Sequence, residues 1–221
     1  MDKQVMVIGL GHFGMSLARS LATRGVEVLA VDCDDVRVRT ASAFASEVLC
    51  FDATEEERLS QTVPSRRDVC ICAIGDEATE ASIIVTALLK QMGARRLVAR
   101  ANDKVHERIL RLIGADEVVN PERAFGERFA NLVLYDGVKA ELKLGGGLTV
   151  TEVEVPESFL GRSLIDLALP RNYGVTVVAV RAGDGERVDV APDPSRPFAA
   201  GDIVVLVAPS RSIARMLKKV G

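Results

Sequence analysis

The chain has 221 residues, 48% of them hydrophobic, so it can bury a core and is long enough for one large or two modest domains. Its 28 Lys and Arg against 31 Asp and Glu leave a formal charge of −3, which excludes the basic footprint of a nucleic-acid binder and a polybasic membrane anchor. Aromatic residues are 4% and Trp is absent, no apolar run reaches the ~18 residues of a transmembrane helix, and Met1-Asp2-Lys3-Gln4 leads straight into a strand pattern rather than a signal peptide. A cytoplasmic protein is expected.

In chain order, Val5-Met6-Val7-Ile8 is an apolar run that ends in the G-x-G-x-x-G turn Gly9-Leu10-Gly11-His12-Phe13-Gly14. A helical pattern follows from Phe13 to Arg24 and stops at Gly25. In such a turn the first glycine lets the chain leave the strand sharply. The second lets backbone N–H groups approach a phosphate, and the third lets the helix pack on the sheet. The helix N-terminus supplies the anion site, because its first N–H groups have no partner inside the helix and its dipole favours negative charge. Val28-Leu29-Ala30-Val31-Asp32 reads as strand two, with its acid roughly 20 residues past the glycines, where it can accept from both hydroxyls of an adenosine ribose. Strand, glycines, helix, strand and acid in this order point to an adenine nucleotide. The competing reading is a helix-start turn that binds nothing, with Asp32 as a helix cap.

Asp34 to Ala45 reads as a second helix, capped by Asp34 or Asp35, and Glu47 to Phe51 as a third strand closing on Asp52-Ala53-Thr54. Thr54-Glu55-Glu56-Glu57 fits a capping box for a short helix to Thr62. Val69 to Ile74 is a continuous apolar run, the pattern of a parallel strand covered on both faces. Cys70 and Cys72 lie in it two apart, a spacing that fits neither a redox pair nor a zinc knuckle, so buried, inert thiols are expected. Gly75-Asp76 makes a turn, Ala78 to Met92 is an amphipathic helix, Leu97 to Ala99 a fifth strand, Asp103 to Ile113 a helix and Glu117 to Val119 a sixth strand. Pro121 starts a helix to about Tyr135. Six alternations of strand and helix predict an α/β fold, a Rossmann-type doubly wound parallel sheet.

Beyond Leu144-Gly145-Gly146-Gly147 the character changes. Short β-branched runs at Thr149–Val155, Gly174–Ala182, Arg187–Val190 and Ile203–Val207 are separated by turn residues, with helical patterns at Ser163–Ala168 and Arg211–Lys219. The expected division is a nucleotide-binding domain over 1–137, a linker over 138–148 and a small α+β lobe over 149–221. The helical face of Ala124, Phe125, Phe129, Leu132 and Val133 is more apolar than its own domain requires and suits a subunit interface.

This combination resembles the RCK (KTN) family, the cytoplasmic regulatory subunits of Ktr/Trk-type bacterial potassium uptake systems, over essentially the whole chain. The residues that carry the resemblance are the glycine turn, Leu29-Ala30-Val31-Asp32, Asp52-Ala53-Thr54, Ala73-Ile74-Gly75 and Ile113-Gly114-Ala115-Asp116-Glu117-Val118-Val119-Asn120-Pro121-Glu122. Gly161 to Leu167 and Phe198 to Asp202 look like the family's C-terminal lobe.

The resemblance implies homodimers assembled into a ring, an octamer, on the cytoplasmic face of a potassium-translocating membrane subunit, with ATP or ADP in each Rossmann lobe setting the ring's shape. By the same resemblance Gly9, Leu10, Gly11, His12, Phe13 and Gly14 hold the phosphates, and Asp32, followed by Cys33 and Asp34, holds the ribose. Asp52, Ala53, Ile74, Gly75 and Asp76 border the adenosine, while Arg100, Ala101 and Asn102 end strand five beside it. His106 matches a position near the phosphates, and Glu122 an acid that binds a divalent cation or sodium at the terminal phosphate of a neighbour's nucleotide. Many members carry Arg where this chain has His12. Arg grips phosphate bidentately at any cellular pH and His does not, which leaves NAD or NADH open as the alternative ligand. In the C-terminal lobe, Ile165, Arg171 and Asn172 lie where some members bind a cyclic dinucleotide.

Blander readings stand beside these. His12 and His106 also suit solvated surface positions, Arg100 an ion pair, and Glu122 an acid favoured by a helix dipole. An NAD-dependent oxidoreductase would need a domain closing over the nicotinamide and a placed acid or base. The small lobe offers no nucleophile, metal cluster or acid–base pair, so a binding module rather than an enzyme is expected. A redox-sensing module that reads NADH without a channel partner is the third class.

Overall fold

The computed structural model describes residues 3–75, 78–183, 185 and 188–220. Two compact units divide the chain, Met1–Glu122 and Arg123–Gly221.

In the first unit β1 (Gln4–Ile8), β2 (Glu27–Asp32), β3 (Glu47–Cys50), β4 (Val69–Cys72), β5 (Leu97–Arg100) and β6 (Glu117–Val119) form one sheet in the order β3-β2-β1-β4-β5-β6. Every pairing in it is parallel. The helices α1 (His12–Ala22), α2 (Asp35–Ala41), α3 (Glu56–Gln61), α4 (Thr79–Gln91) and α5 (Lys104–Ile113) fill the crossovers.

Alternation within the apolar strands builds two cores. Met6, Ile8, Leu29, Val31, Cys70 and Cys72 face Leu59, Val85, Leu89 and Leu110 on one side. Val5, Val7, Val28, Ala30, Val69 and Ile71 face Ala18, Val38 and Ala41 on the other. Coverage on both faces is why the interiors of β1, β2 and β4 carry no polar residue. The strand order reverses between β1 and β4, the place where a doubly wound sheet opens a crevice for a ligand.

The second unit is an antiparallel sheet in the order β10-β9-β11-β8-β7, made of β7 (Val138–Gly145), β8 (Leu148–Glu154), β9 (Thr176–Arg181), β10 (Val188–Val190) and β11 (Ile203–Pro209). The helices α6 (Pro121–Leu134), α7 (Leu164–Leu167), α8 (Leu169–Tyr173) and α9 (Ser210–Val220) complete the chain. Val153, Val180, Val204 and Leu206 pack against Leu167, Leu169, Ile213 and Met216.

Two expectations are corrected. The segment 138–148, expected as a linker, is strand β7 and its turn into β8, because Val138, Ala140, Leu142 and Leu144 alternate with polar residues at a strand's period. Thr54 opens no capping box: its hydroxyl and N–H both go to the Asp52 carboxylate, and Glu55 stands at the N-cap of α3 with no side-chain capping bond. The helical pattern at Ser163–Ala168 is α7, capped by Ser163 and ended by Ala168 at a left-handed φ of 41°, and a further short helix, α8, follows it.

Candidate functional site

The turn after β1 is built by its glycines in three different ways. Gly9 has φ +92°, and a Cβ there would sit 2.8 Å from the Ile74 nitrogen. At Gly14 a Cβ would run into the Gly9 carbonyl oxygen and lie 3.2 Å from the Ala73 Cβ. These two are needed by the fold itself. Gly11 is not: its φ of −63° and ψ of −175° suit any residue, and a Cβ there meets open space. Gly11 is also the N-cap of α1 and contributes no side-chain bond to the N–H groups of the first turn. Those N–H groups are therefore left without a side-chain cap, at the end of the helix where an anion is favoured.

Asp32 closes the other wall. It is 6% exposed, its Oδ2 accepts the Leu10 N–H at 2.5 Å and its Oδ1 accepts the Asp34 N–H at 2.9 Å. The acid thus ties the end of β2 to the glycine turn. The cap of α2 is Asp34, which accepts from the Val36 and Arg37 N–H groups. Asp32 is no helix cap, which removes the competing explanation for its position. A carboxylate has about four acceptor sites, so two accepted bonds leave room for a diol. Arg37 was not singled out in the sequence. Its guanidinium lies 3.7 Å from Asp32 and 3.5 Å from Asp34, and its place five residues past the ribose acid was the available signal.

Cys33 is exposed beside this acid. Burial, and then the Asp32 and Asp52 carboxylates, push its thiol pKa up. Asp52 accepts the Thr54 N–H at 2.9 Å and hydroxyl at 2.8 Å, and these bonds hold its own pKa below the usual range. Ala53 and Ala101 are buried in the core and offer a ligand only backbone, while Ile74 packs on the same core. Asp76 lies outside the described residues.

Arg100 gathers the opposite wall. Its side chain is 9% exposed, and its Nη2 donates to Glu122 Oε1 at 2.7 Å. Its guanidinium carbon is 5.9 Å from the centre of the Phe13 ring, and a Cβ on Gly75 would come within 3.2 Å of its Nη1. Phe13, Gly75, Arg100 and Glu122 therefore meet, and the ion pair is a largely buried one on the arginine side rather than a surface pair.

His12 is exposed at the start of α1. His106 is 2% exposed, its Nδ1 accepts the Asn102 N–H at 3.3 Å, and its own N–H goes to the Asp103 cap of α5. That corrects the solvated reading of His106: it holds the turn after β5. The Asn102 side chain donates to Thr79 Oγ1. Among the described residues no group of three His, Cys, Asp or Glu could hold a metal, and Glu122 is already engaged by Arg100.

In the second unit Ile165 is 64% exposed on α7, and Arg171 and Asn172 are exposed on α8, where Asn172 donates to the Leu167 carbonyl. On α6, Phe125 and Phe129 stack with ring centres 5.7 Å apart and are 64% and 51% exposed. Leu132, by contrast, packs on the second unit's core.

Residues 5–121 match the TrkA-N domain and residues 150–221 the TrkA-C domain. The chain is 37% identical over 217 residues to Ktr system potassium uptake protein A of Vibrio alginolyticus, covering 98% of this chain and 97% of that protein. To Ktr system potassium uptake protein C of Bacillus subtilis (strain 168) it is 34% identical over 220 residues, covering 100% and 98%. Among solved structures, the GsuK channel is similar in fold with a TM-score of 0.69 at 17% identity; the match covers all of this chain and 40% of the channel's. With both domains matched in order and full-length relatives of this identity, the chain belongs to the family of Ktr system potassium uptake proteins.

Proposed function

We propose that this chain is a nucleotide-sensing regulatory subunit that acts from the cytoplasmic side on a potassium-translocating membrane subunit. The observation that carries the reading is Gly11. The fold requires neither its backbone angles nor its missing side chain, so what it leaves open is room for phosphate at the amino end of α1. Asp32, fixed to the same turn through Leu10, supplies the ribose acceptor. Residues of this kind fit ATP or ADP, with NADH as the second ligand that the same diol acceptor admits. An adenine nucleotide bound here supplies charge at its terminal phosphate, and the chain's own part is to bind, orient and respond.

A ligand shifts an assembly only through a difference in its contacts between two states. The exposed stack of Phe125 and Phe129 supports pairing of copies through α6, the helix that begins with Pro121 and Glu122. Pairing there carries Glu122 with it. Within one chain Glu122 belongs to Arg100, so a role for it at a cation on a neighbour's nucleotide requires that pair to open. Occupancy by ATP with a cation would favour one arrangement of copies and ADP another, and a ring of such pairs would pass the change to the membrane subunit.

Small-angle scattering of the purified assembly with ATP and then with ADP tests this. Different ring dimensions are expected, and identical dimensions with both nucleotides would overturn the gating proposal.

A further inference from the structure

Cys33 and Cys50 are exposed, whereas Cys70 and Cys72 are buried. β2 and β3 pair in parallel with Asp32 opposite Cys50, so Cys33 is the diagonal neighbour of Cys50 at the carboxyl ends of the two strands. A strand spacing of about 4.8 Å and a rise of about 3.3 Å put diagonal Cα atoms about 6 Å apart, inside the roughly 4.4–6.8 Å that disulfides span, but Cys50 shares the face of Asp32, so the backbone at Cys33, just past the end of β2, must turn to bring its sulfur to that face. The Cys50 sulfur already lies 3.6 Å from the Cys33 carbonyl oxygen. β3 is the edge of its sheet, so its end can shift without opening a ladder on its far side.

We propose that Cys33 and Cys50 are an oxidisable pair, and that their disulfide, formed by exchange with a small-molecule disulfide such as oxidised glutathione, weakens nucleotide binding at the neighbouring Asp32. The second half rests on the nucleotide reading above. In the first step the Cys50 thiolate attacks one sulfur of the oxidant. The oxidant's S–S bond breaks, and one thiol leaves with the electron pair and takes up a proton. In the second step Cys33, as thiolate, attacks the Cys50 sulfur of the mixed disulfide and releases the second thiol. The protein loses two electrons and two protons, and the oxidant is reduced to two thiols. Burial and the Asp32 and Asp52 carboxylates keep Cys33 protonated, so the second step is the slow one and quickens as pH rises.

Coupling to the nucleotide follows from the chain's connectivity. Cys33 lies between Asp32, which binds the Leu10 N–H of the glycine turn, and Asp34, whose N–H binds Asp32. Drawing Cys33 towards β3 moves the segment that carries the ribose acceptor. The coupling is reciprocal, so bound nucleotide makes the disulfide harder to form by the same factor that the disulfide weakens binding.

The test treats the full chain with glutathione disulfide and reads intact mass, peptide linkage and ATP affinity. Expected are loss of two hydrogens with Cys33 linked to Cys50, no such loss in Cys50→Ser, and retention of it in Cys70→Ser. In the linked material ATP affinity is expected to fall about tenfold and to recover with dithiothreitol, and saturating ATP should raise the pair's reduction potential by about 30 mV. Separate glutathione adducts with no internal link would overturn the pair. A linked chain that binds ATP as tightly as the reduced one would overturn the coupling. A reduced chain that binds none of ATP, ADP and NADH would overturn the nucleotide reading and the coupling with it, while the mass still decides the pair.

Discussion

Gly11→Ala separates a glycine kept for a ligand from glycines kept for the fold. At Gly11 the backbone angles suit alanine and the new methyl meets no atom of the chain. Alanine is a poorer N-cap than glycine, by about 0.5–1 kcal/mol. For a chain of this size that lowers the melting temperature by only about 1–4 °C. The methyl would, however, occupy the path by which a phosphate oxygen reaches the first N–H groups of α1. Losing one hydrogen bond to a charged group costs about 1.5–3 kcal/mol, or about 10- to 150-fold in Kd. Gly14→Ala is the contrasting variant: its Cβ runs into the Gly9 carbonyl oxygen, so stability itself should fall by about 3 kcal/mol or more. Calorimetric melting and isothermal titration with ATP on both variants and the parent read the two effects apart. A folded Gly11→Ala chain that binds ATP as tightly as the parent would refute the reasoning, because the open space at Gly11 would then have no ligand to explain it.

Asp32→Ala should cost about 2–3 kcal/mol, since the Leu10 and Asp34 N–H groups both lose their acceptor, and should weaken ATP and NADH alike. Thermal melts and titration with each ligand check it. Asp116 accepts the Leu97 N–H at 2.7 Å and also faces Lys90, which together hold its pKa below 3.8. A depressed carboxylate stabilises the fold above its unfolded pKa and ceases to do so as pH falls through the folded one. Asp116→Asn should therefore be less stable than the parent at neutral pH, with the gap in urea midpoints closing as pH drops below 3.8. Phe129→Asp puts a charge in the exposed stack on α6, and light scattering should show the mass of the assembly falling towards the 23.7 kDa of one chain while the melting temperature holds.

The parallel sheet was legible because both of its faces are covered: runs such as Val69–Cys72 contain no polar residue, and helix ends announce themselves through left-handed glycines such as Gly25 and Gly114. Asp32 was legible because its position relative to the glycines is fixed by one helix and one strand. Strand β7 was less visible. It is an edge strand of alternating Lys139, Glu141 and Lys143, and three glycines at 145–147 draw attention to a break where the chain only turns. The meeting of Arg100 with Phe13, Gly75 and Glu122 joins four separate elements, and no local pattern announces it. Burial of His106 was hidden for a related reason: a histidine in the first turn of a helix reads as solvated until the Asp103 cap folds that turn over it. The pairing of Cys33 with Cys50 depends on the register of β2 with β3, which sequence spacing leaves undetermined.

The most direct measurement is a crystal structure of the full chain grown with ATP. The account predicts phosphate density against the N–H groups between Gly11 and Gly14 and ribose hydroxyls on the Asp32 carboxylate. Strong density for ATP elsewhere, with the turn and Asp32 arranged as they are without it, would contradict it.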